Sequence, residues 1–401
     1  MSSKVSSKKL TIRYLLYQVA YYATCVGTSA FATTYLLEKG FSTSSIGIVI
    51  AATNILSCIL QPMLGDVVDR LKKFVLPQMM IGFLASALVC FAVIQFCKPS
   101  LGIFGILYGM GLLLISITVS LNNSLCAYYL QNGYPINYGM GIGVGSFTFS
   151  VFSFAMGYWL VWFGMEFMLW FAFASLTAQM IIVAGYPKLS NGSFTQNVQE
   201  EKEGSDRVSI LAFFGKYKLF SITLLGVMLL ATSHCMMENY LINIFEAMGG
   251  GSENVGIALS VASLAATPVL IYFEKIQKKT GILMLIKLAG VFFSCKALLL
   301  LLATESWNVY LIQLLQTVTF GFSFPALFYF VKLKISEADM AKGQAVAAVV
   351  FTLGTAIGSF IGGRVIDQFG IKAMIMTALA LAVFGTLVIY MTVQKDEKRD
   401  E

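Results

Sequence analysis

Four ionisable side chains interrupt long apolar runs of this chain: His234, Glu238, Lys287 and Lys296. An ionisable group at membrane depth is costly, so each is a functional candidate by default. His234 and Glu238 stand four residues apart and share one face of a helix. Desolvation penalises the charged form of a buried carboxyl, so Glu238 can carry a proton near neutral pH, as coupling to a proton gradient requires. Two other readings of Glu238 stay open: a carboxylate neutralised by a fixed ion pair, or one exposed at the outer end of its helix. For His234, a structural hydrogen bond accounts for the residue at least as well as proton transfer. Lys296 falls at a depth similar to Glu238 and must find a carboxylate, a carbonyl or a water-filled cavity. Lys287 lies nine residues earlier, on the opposite side of the helix and near its cytoplasmic end, where snorkelling explains it. The proton-coupling candidates are therefore Glu238, His234 and Lys296.

A second set of polar groups is uncharged. The first apolar run carries Gln18, Tyr21, Tyr22, Thr24, Thr28 and Ser29, and the fourth carries Asn122, Asn123 and Ser124. Amides and tyrosines suit a polar but neutral solute such as a sugar or nucleoside, and tyrosines can equally stack on an aromatic acid. The competing use of such groups is hydrogen bonding between helices. Gln18, Tyr21, Tyr22 and Asn122 are the candidates for a substrate cavity. Glycines four apart (Gly354, Gly358 and Gly362; Gly139 and Gly143; Gly141 and Gly145) mark close helix contacts, either static or built to slide.

The elements that must position these residues are membrane helices. The composition, 58% hydrophobic and 12% charged, excludes a soluble globular chain. Spans are expected at about 14–36, 45–65, 75–96, 101–129, 139–161 and 166–186, then at 218–243, 254–274, 281–303, 306–332, 343–363 and 371–393. The expected fold is all-α, with 12 helices in two six-helix bundles: 1–187 and 218–401, joined by a cytoplasmic linker at 188–217. The two halves echo each other. Gly157 and Gly363, Phe163 and Phe369, Gly164 and Gly370, and Met168 and Met374 share an offset of 206 residues, and Gly47 and Gly256 lie 209 apart. Duplicated membrane halves build many secondary transporters, with the substrate site between them. With the N-terminus cytoplasmic, 21 of the 27 Lys and Arg fall on the cytoplasmic side and 4 outside, so both termini are read as cytoplasmic. The net charge of +7 is thus a topology signal and gives no reason to invoke nucleic acid. The first span lacks a cleavage site and is expected to be retained, and the Asn191-Gly192-Ser193 sequon lies on the wrong side for glycosylation.

Several function classes lack their residues. The seven cysteines are scattered without metal-ligand or redox spacing and read as filler thiols, and no metal site is expected. No Gly-rich run carries Gly-Lys-Ser/Thr, which argues against an ATP-driven pump. One histidine and no Cys/His cluster argue against a membrane enzyme, and a polar gap of about thirty residues is short for a signalling domain. No cofactor is expected. The expected partners are a small-molecule substrate and the lipid bilayer, with the chain a monomer.

Between the second and third spans the chain reads Gly65-Asp66-Val67-Val68-Asp69-Arg70-Leu71-Lys72-Lys73. This resembles the cytoplasmic loop motif of the major facilitator superfamily, Gly-x-x-x-Asp-Arg followed by basic residues. The resemblance makes Gly65, Asp66, Asp69 and Arg70 a cytoplasmic gate, in which a carboxylate at a helix end holds and releases basic groups and helix dipoles. In the matching loop of the second half, Phe273 to Lys279, the basic charge is kept and the Asp-Arg pair is lost. Nearly the whole chain is similar to the lactose-permease-like branch of sugar, nucleoside and phenylpropionate proton symporters, through stretches such as Tyr35 to Ser42, Ile55 to Pro62 and Gly249 to Ile257. By that resemblance Lys296 matches a basic residue of the branch's proton network. The tenth span departs from it. Phe320 to Pro325 lacks the His and Glu found ahead of that proline, Ile142 stands where an arginine is expected, and Asn122 and Asn123 have no acid beside them. Lactose is therefore unsupported, and proton coupling would have to run through Glu238.

The expectation is a non-enzymatic secondary transporter in the plasma membrane, a bacterial inner membrane. It would move a sugar, nucleoside or aromatic acid by alternating access with proton symport. The alternative is the same fold used as a proton-coupled exporter of drugs or metabolites.

Overall fold

The computed structural model describes residues 7–70, 76–134, 136–187 and 210–400, and nearly all of them are helical. In chain order the helices are α1 (Ser7–Cys25), α2 (Ala32–Glu38), α3 (Thr43–Arg70), α4 (Leu76–Cys97), α5 (Leu101–Gln131), α6 (Tyr138–Phe163), α7 (Phe167–Ala184), α8 (Ile210–Lys216), α9 (Lys218–Asn239) and α10 (Leu241–Glu246). They continue as α11 (Ser252–Thr280), α12 (Ile282–Leu302), α13 (Ser306–Gln313), α14 (Phe320–Lys334) and α15 (Met340–Asp400). Ten helices among the described residues are long and apolar enough to cross a membrane. In hydrocarbon a backbone must satisfy its own hydrogen bonds, and the helix does so within one segment. Large apolar side chains also point outward: Ile106 is 70% exposed, Trp162 69%, Ile181 69% and Phe369 71%. Such a surface is stable only against lipid, and the chain is a multi-pass integral membrane protein.

The expected spans recur with three refinements. The first is one segment in two helices, α1 and α2, joined by a π-turn at Val26–Ala30. The tenth is broken into α13 and α14 by a three-ten turn at Leu314–Thr317. The eleventh and twelfth run together as α15, which bends at Gly370. The sequence echo has a physical basis at that bend. Gly164 joins α6 to α7 at φ 80°, ψ 167°, and Gly370 makes the equivalent joint at φ 83°, ψ 175°. A side chain is strained at that φ, so both halves place glycine there.

The chain forms two compact units. The first contains Met1–Gly40 and Ile55–Gly204, and the second contains Phe41–Asn54 and Ser205–Glu401. Helix α3 begins in the second unit and ends in the first. Most of the linker, residues 188–209, lies outside the described residues, as do the sequon and Lys72 and Lys73. The end of the linker, Ile210–Lys216, is helix α8.

Inside the second unit, α9 and α15 pack tightly because glycine removes side-chain bulk. A Cβ added at Gly354 would lie 2.6 Å from the Ala231 Cβ, and one at Gly358 would lie 2.6 Å from the Thr232 carbonyl oxygen. In the first unit the stripe on α6 seats rings of α1. A Cβ at Gly141 would lie 2.2 Å from the Tyr14 ring, and one at Gly145 2.2 Å from the Tyr22 ring. Gly354, Gly358, Gly141 and Gly145 are thus each met by a neighbour within their own unit.

Candidate functional site

The charged candidates converge in the second unit. Glu238 stands one residue before the end of α9, which stops at Asn239, and Lys296 lies two-thirds along α12. The Lys296 side chain is 2% exposed and the Glu238 side chain 16%. The Lys296 Nζ donates to Glu238 Oε1 at 2.7 Å, to Gln313 Oε1 at 2.8 Å and to Gln316 Oε1 at 2.9 Å. An ammonium has three donors and no acceptor, so this lysine is fully satisfied. Gln313 Nε2 reaches back to Glu238 Oε2 at 3.4 Å. In the structure the Glu238 carboxyl is thus paired with the Lys296 ammonium.

His234 lies one turn below Glu238, 7% exposed, with its ring against Phe293 and Phe320. Its Nε2 is 3.3 Å from Gln316 Nε2 and its Nδ1 is 3.9 Å from Glu238 Oε1. The Gln316 oxygen is committed to Lys296, so its Nε2 is the donor and His234 Nε2 the acceptor. That arrangement puts the imidazole hydrogen on Nδ1, facing Glu238. All three proton-coupling candidates therefore belong to one network. Lys287 lies apart, over the Tyr390 ring at 6.0 Å.

Sequence reasoning missed Gln313 and Gln316. Amides are common in membrane helices and carry no charge to mark them. The three-ten turn makes them partners of one ammonium. At three residues per turn, positions i and i+3 eclipse, so two amides three apart face the same way.

The neutral candidates lie in the first unit. Gln18 Nε2 donates to Tyr14 Oη at 2.6 Å. Tyr21 packs edge-on to Tyr22 with ring centroids 5.4 Å apart and stacks on Tyr17 at 6.3 Å, and Tyr22 meets Phe149 at 6.4 Å. Asn122 on α5 is 3% exposed, and its Oδ1 is buried without a hydrogen-bond partner. Thr24, Thr28 and Ser29 instead donate to carbonyls one turn back, at 2.9, 2.7 and 2.9 Å, and so serve their own helix at the π-turn. Gln179 on α7 is fully buried and was not anticipated; it is another amide in the same unit.

Of the gate motif, the backbone of Gly65, Asp66, Asp69 and Arg70 belongs to α3, and their side chains lie outside the described residues. At the other end of α3 there is a clamp that sequence reasoning did not find. The Asp367 carboxylate accepts from the backbone N–H of Thr43 at 3.2 Å and of Ser44 at 2.8 Å, and also from the Thr43 hydroxyl. A carboxylate at a helix N-terminus satisfies orphan donors and the helix dipole together. Tyr240 Oη donates to the Ser359 carbonyl at 2.6 Å, and Gly47 and Gly363 let the backbones meet there.

Three comparisons with known proteins bear on this arrangement. Residues 9–377 match the MFS_1 like family. The maltose permease of Geobacillus stearothermophilus is 24% identical over 379 residues, covering 92% of this chain and 90% of the permease. Among solved structures, a point mutant of the nucleoside transporter NupG superposes with a TM-score of 0.79 at 14% identity, over 96% of this chain and 98% of that one. A D-xylose-proton symporter superposes with a TM-score of 0.67 at 14% identity, over 95% and 96% of the two chains. The match along most of its length shows the family: this chain belongs to the MFS_1 like family of the major facilitator superfamily.

Proposed function

We propose that this transporter imports a sugar or nucleoside with protons, and that Glu238 carries the proton. The observation that carries this reading is the buried Glu238–Lys296 pair, 2.7 Å apart. A proton on Glu238 removes the anion and leaves the ammonium without its charge partner. Unit charges in contact attract by a few kcal/mol even at an effective dielectric constant of about 20. Proton binding is therefore a large enough local event to bias a conformational equilibrium, and a membrane transporter couples two fluxes by such a bias. The first unit supplies a complementary chemistry. Its Gln18, Tyr21, Tyr22 and Asn122 are neutral hydrogen-bonding and stacking groups, suited to hydroxyls and flat rings. A maltose permease, a nucleoside transporter and a D-xylose-proton symporter among its relatives favour this solute class.

The test is proton movement in proteoliposomes holding a pH-sensitive dye, with maltose, xylose and uridine added outside. The reading requires acidification of the lumen with at least one of them, and its loss in Glu238→Gln. Solute equilibration without a proton signal would make the protein a uniporter and Glu238 structural.

A further inference from the structure

We infer that Gln313 and Gln316 are positioning residues of the proton site: they keep the Lys296 ammonium in place when Glu238 is protonated. This rests on Glu238 as the proton carrier. A buried ion pair has a chemical problem that a proton carrier must solve. When the proton arrives from water, it binds a Glu238 oxygen, the ionic hydrogen bond from Lys296 is weakened, and the site gains one positive charge. An ammonium left without acceptors in an apolar helix bundle is expensive, and that cost would oppose protonation.

The geometry supplies the missing acceptors in advance. Two of the three oxygens around Nζ belong to amides, Gln313 Oε1 at 2.8 Å and Gln316 Oε1 at 2.9 Å. Neither titrates, so neither is lost when the pH changes. They converge because the tenth span breaks into a three-ten turn at Leu314–Thr317, immediately after Gln313. The titratable and charged groups facing Glu238 are His234 and Cys235 on its own helix and Lys296 on α12; α13 and the turn present the amides of Gln313 and Gln316.

The two amides are not equivalent. Gln313 also donates to Glu238 Oε2 at 3.4 Å, which favours the carboxylate and opposes its other effect. Gln316 touches Lys296 and His234, so it is the cleaner probe. The Gln316 oxygen holds the ammonium in both states. When Glu238 is neutral its carboxyl is a weaker acceptor, so the two amides hold more of the ammonium's hydrogen bonding. Removal of the Gln316 oxygen therefore costs the protonated state more, and the protonation midpoint of Glu238 should fall.

The experiment titrates protons alone, without any solute. Infrared difference spectroscopy on the reconstituted full chain follows the carboxyl C=O band that Glu238→Gln abolishes. In Gln316→Met the midpoint should move about one pH unit lower, a tenfold loss of proton affinity. Gln316→Asn, too short to reach Nζ, should move it the same way and provides the reading if the methionine variant does not fold. Made in a Lys296→Met background, Gln316→Met should leave the midpoint where Lys296→Met alone puts it, because the effect runs through the ammonium. A midpoint unmoved or raised in folded Gln316→Met overturns the inference, as does an equal shift in the Lys296→Met background. A band that titrates as described while no solute moves protons would leave the inference standing and sink the symport reading. Symport with an unmoved midpoint would do the reverse.

Discussion

The two units treat polarity at membrane depth in opposite ways. In the second, one carboxylate, one ammonium and two amides are bonded into a network with defined donors and acceptors. In the first, the candidates are tyrosines and amides, and Asn122 Oδ1 has no partner of its own. A closed network responds to a change of charge, because altering one member leaves the others buried and mismatched. A neutral set with a buried acceptor such as Asn122 Oδ1 can answer to a hydrogen-bonding solute instead. On the proposed function this is a division of labour, with the second unit sensing the proton and the first gripping the cargo.

The sharpest way to break this comparison is to remove the cation. Lys296→Met leaves Glu238 buried without its ammonium, and breaking a buried pair from one side costs about 3–5 kcal/mol. Thermal unfolding in detergent should show a clear loss of stability along with abolished accumulation. Glu238→Gln should lose accumulation with much less destabilisation, since Lys296 keeps amide oxygens. Equal destabilisation by the two would mean that the amides do not hold the ammonium.

The glycine stripes give a second contrast. Gly358→Ala drives a Cβ against the Thr232 carbonyl on α9, two residues from His234. Overpacking of this kind costs about 1–3 kcal/mol, and it should impair proton coupling. Gly145→Ala meets the movable Tyr22 ring instead, so it should raise KM and leave coupling intact. Reversed phenotypes would overturn the division of labour. Tyr22→Phe and Asn122→Ala sharpen the same point. Each removes one neutral hydrogen-bonding group, so solute affinity should weaken by about tenfold, near 1.4 kcal/mol, with the proton-to-solute ratio unchanged.

The smallest effect belongs to the surface. Between α6 and α7, Glu166 pairs with Lys39. Burial pushes its carboxyl up, but the Lys39 hydrogen bond and charge pull harder and hold it below the usual carboxylate range. Its contribution is therefore present above the ordinary glutamate pKa and is lost as pH falls through the lowered value. Glu166 is 51% exposed, so solvent screening keeps the effect well under about 1 kcal/mol. In acid titrations of stability, Glu166→Gln should differ slightly from the parent near neutrality and match it in strong acid. Transport should not change.

What could be read from the chain alone follows from the cost of burial. Apolar length marked the helices, basic loops suggested their orientation, and the Gly164 and Gly370 echo marked equivalent joints because both need positive φ. Glu238 and Lys296 were visible because a charge in an apolar run is conspicuous. Their pairing across 58 residues was not, since nothing in either segment names its partner. Gln313 and Gln316 carry no charge and stayed hidden until a broken helix turned both toward one ammonium. Asp367 resembled any acid at a helix end until the fold set the N-terminus of α3 against it. Composition and periodicity are local properties, so the sequence settles which segments leave water. Which polar groups then complete each other is decided by packing, because a buried donor or acceptor must take its partner from whichever helix the fold brings alongside.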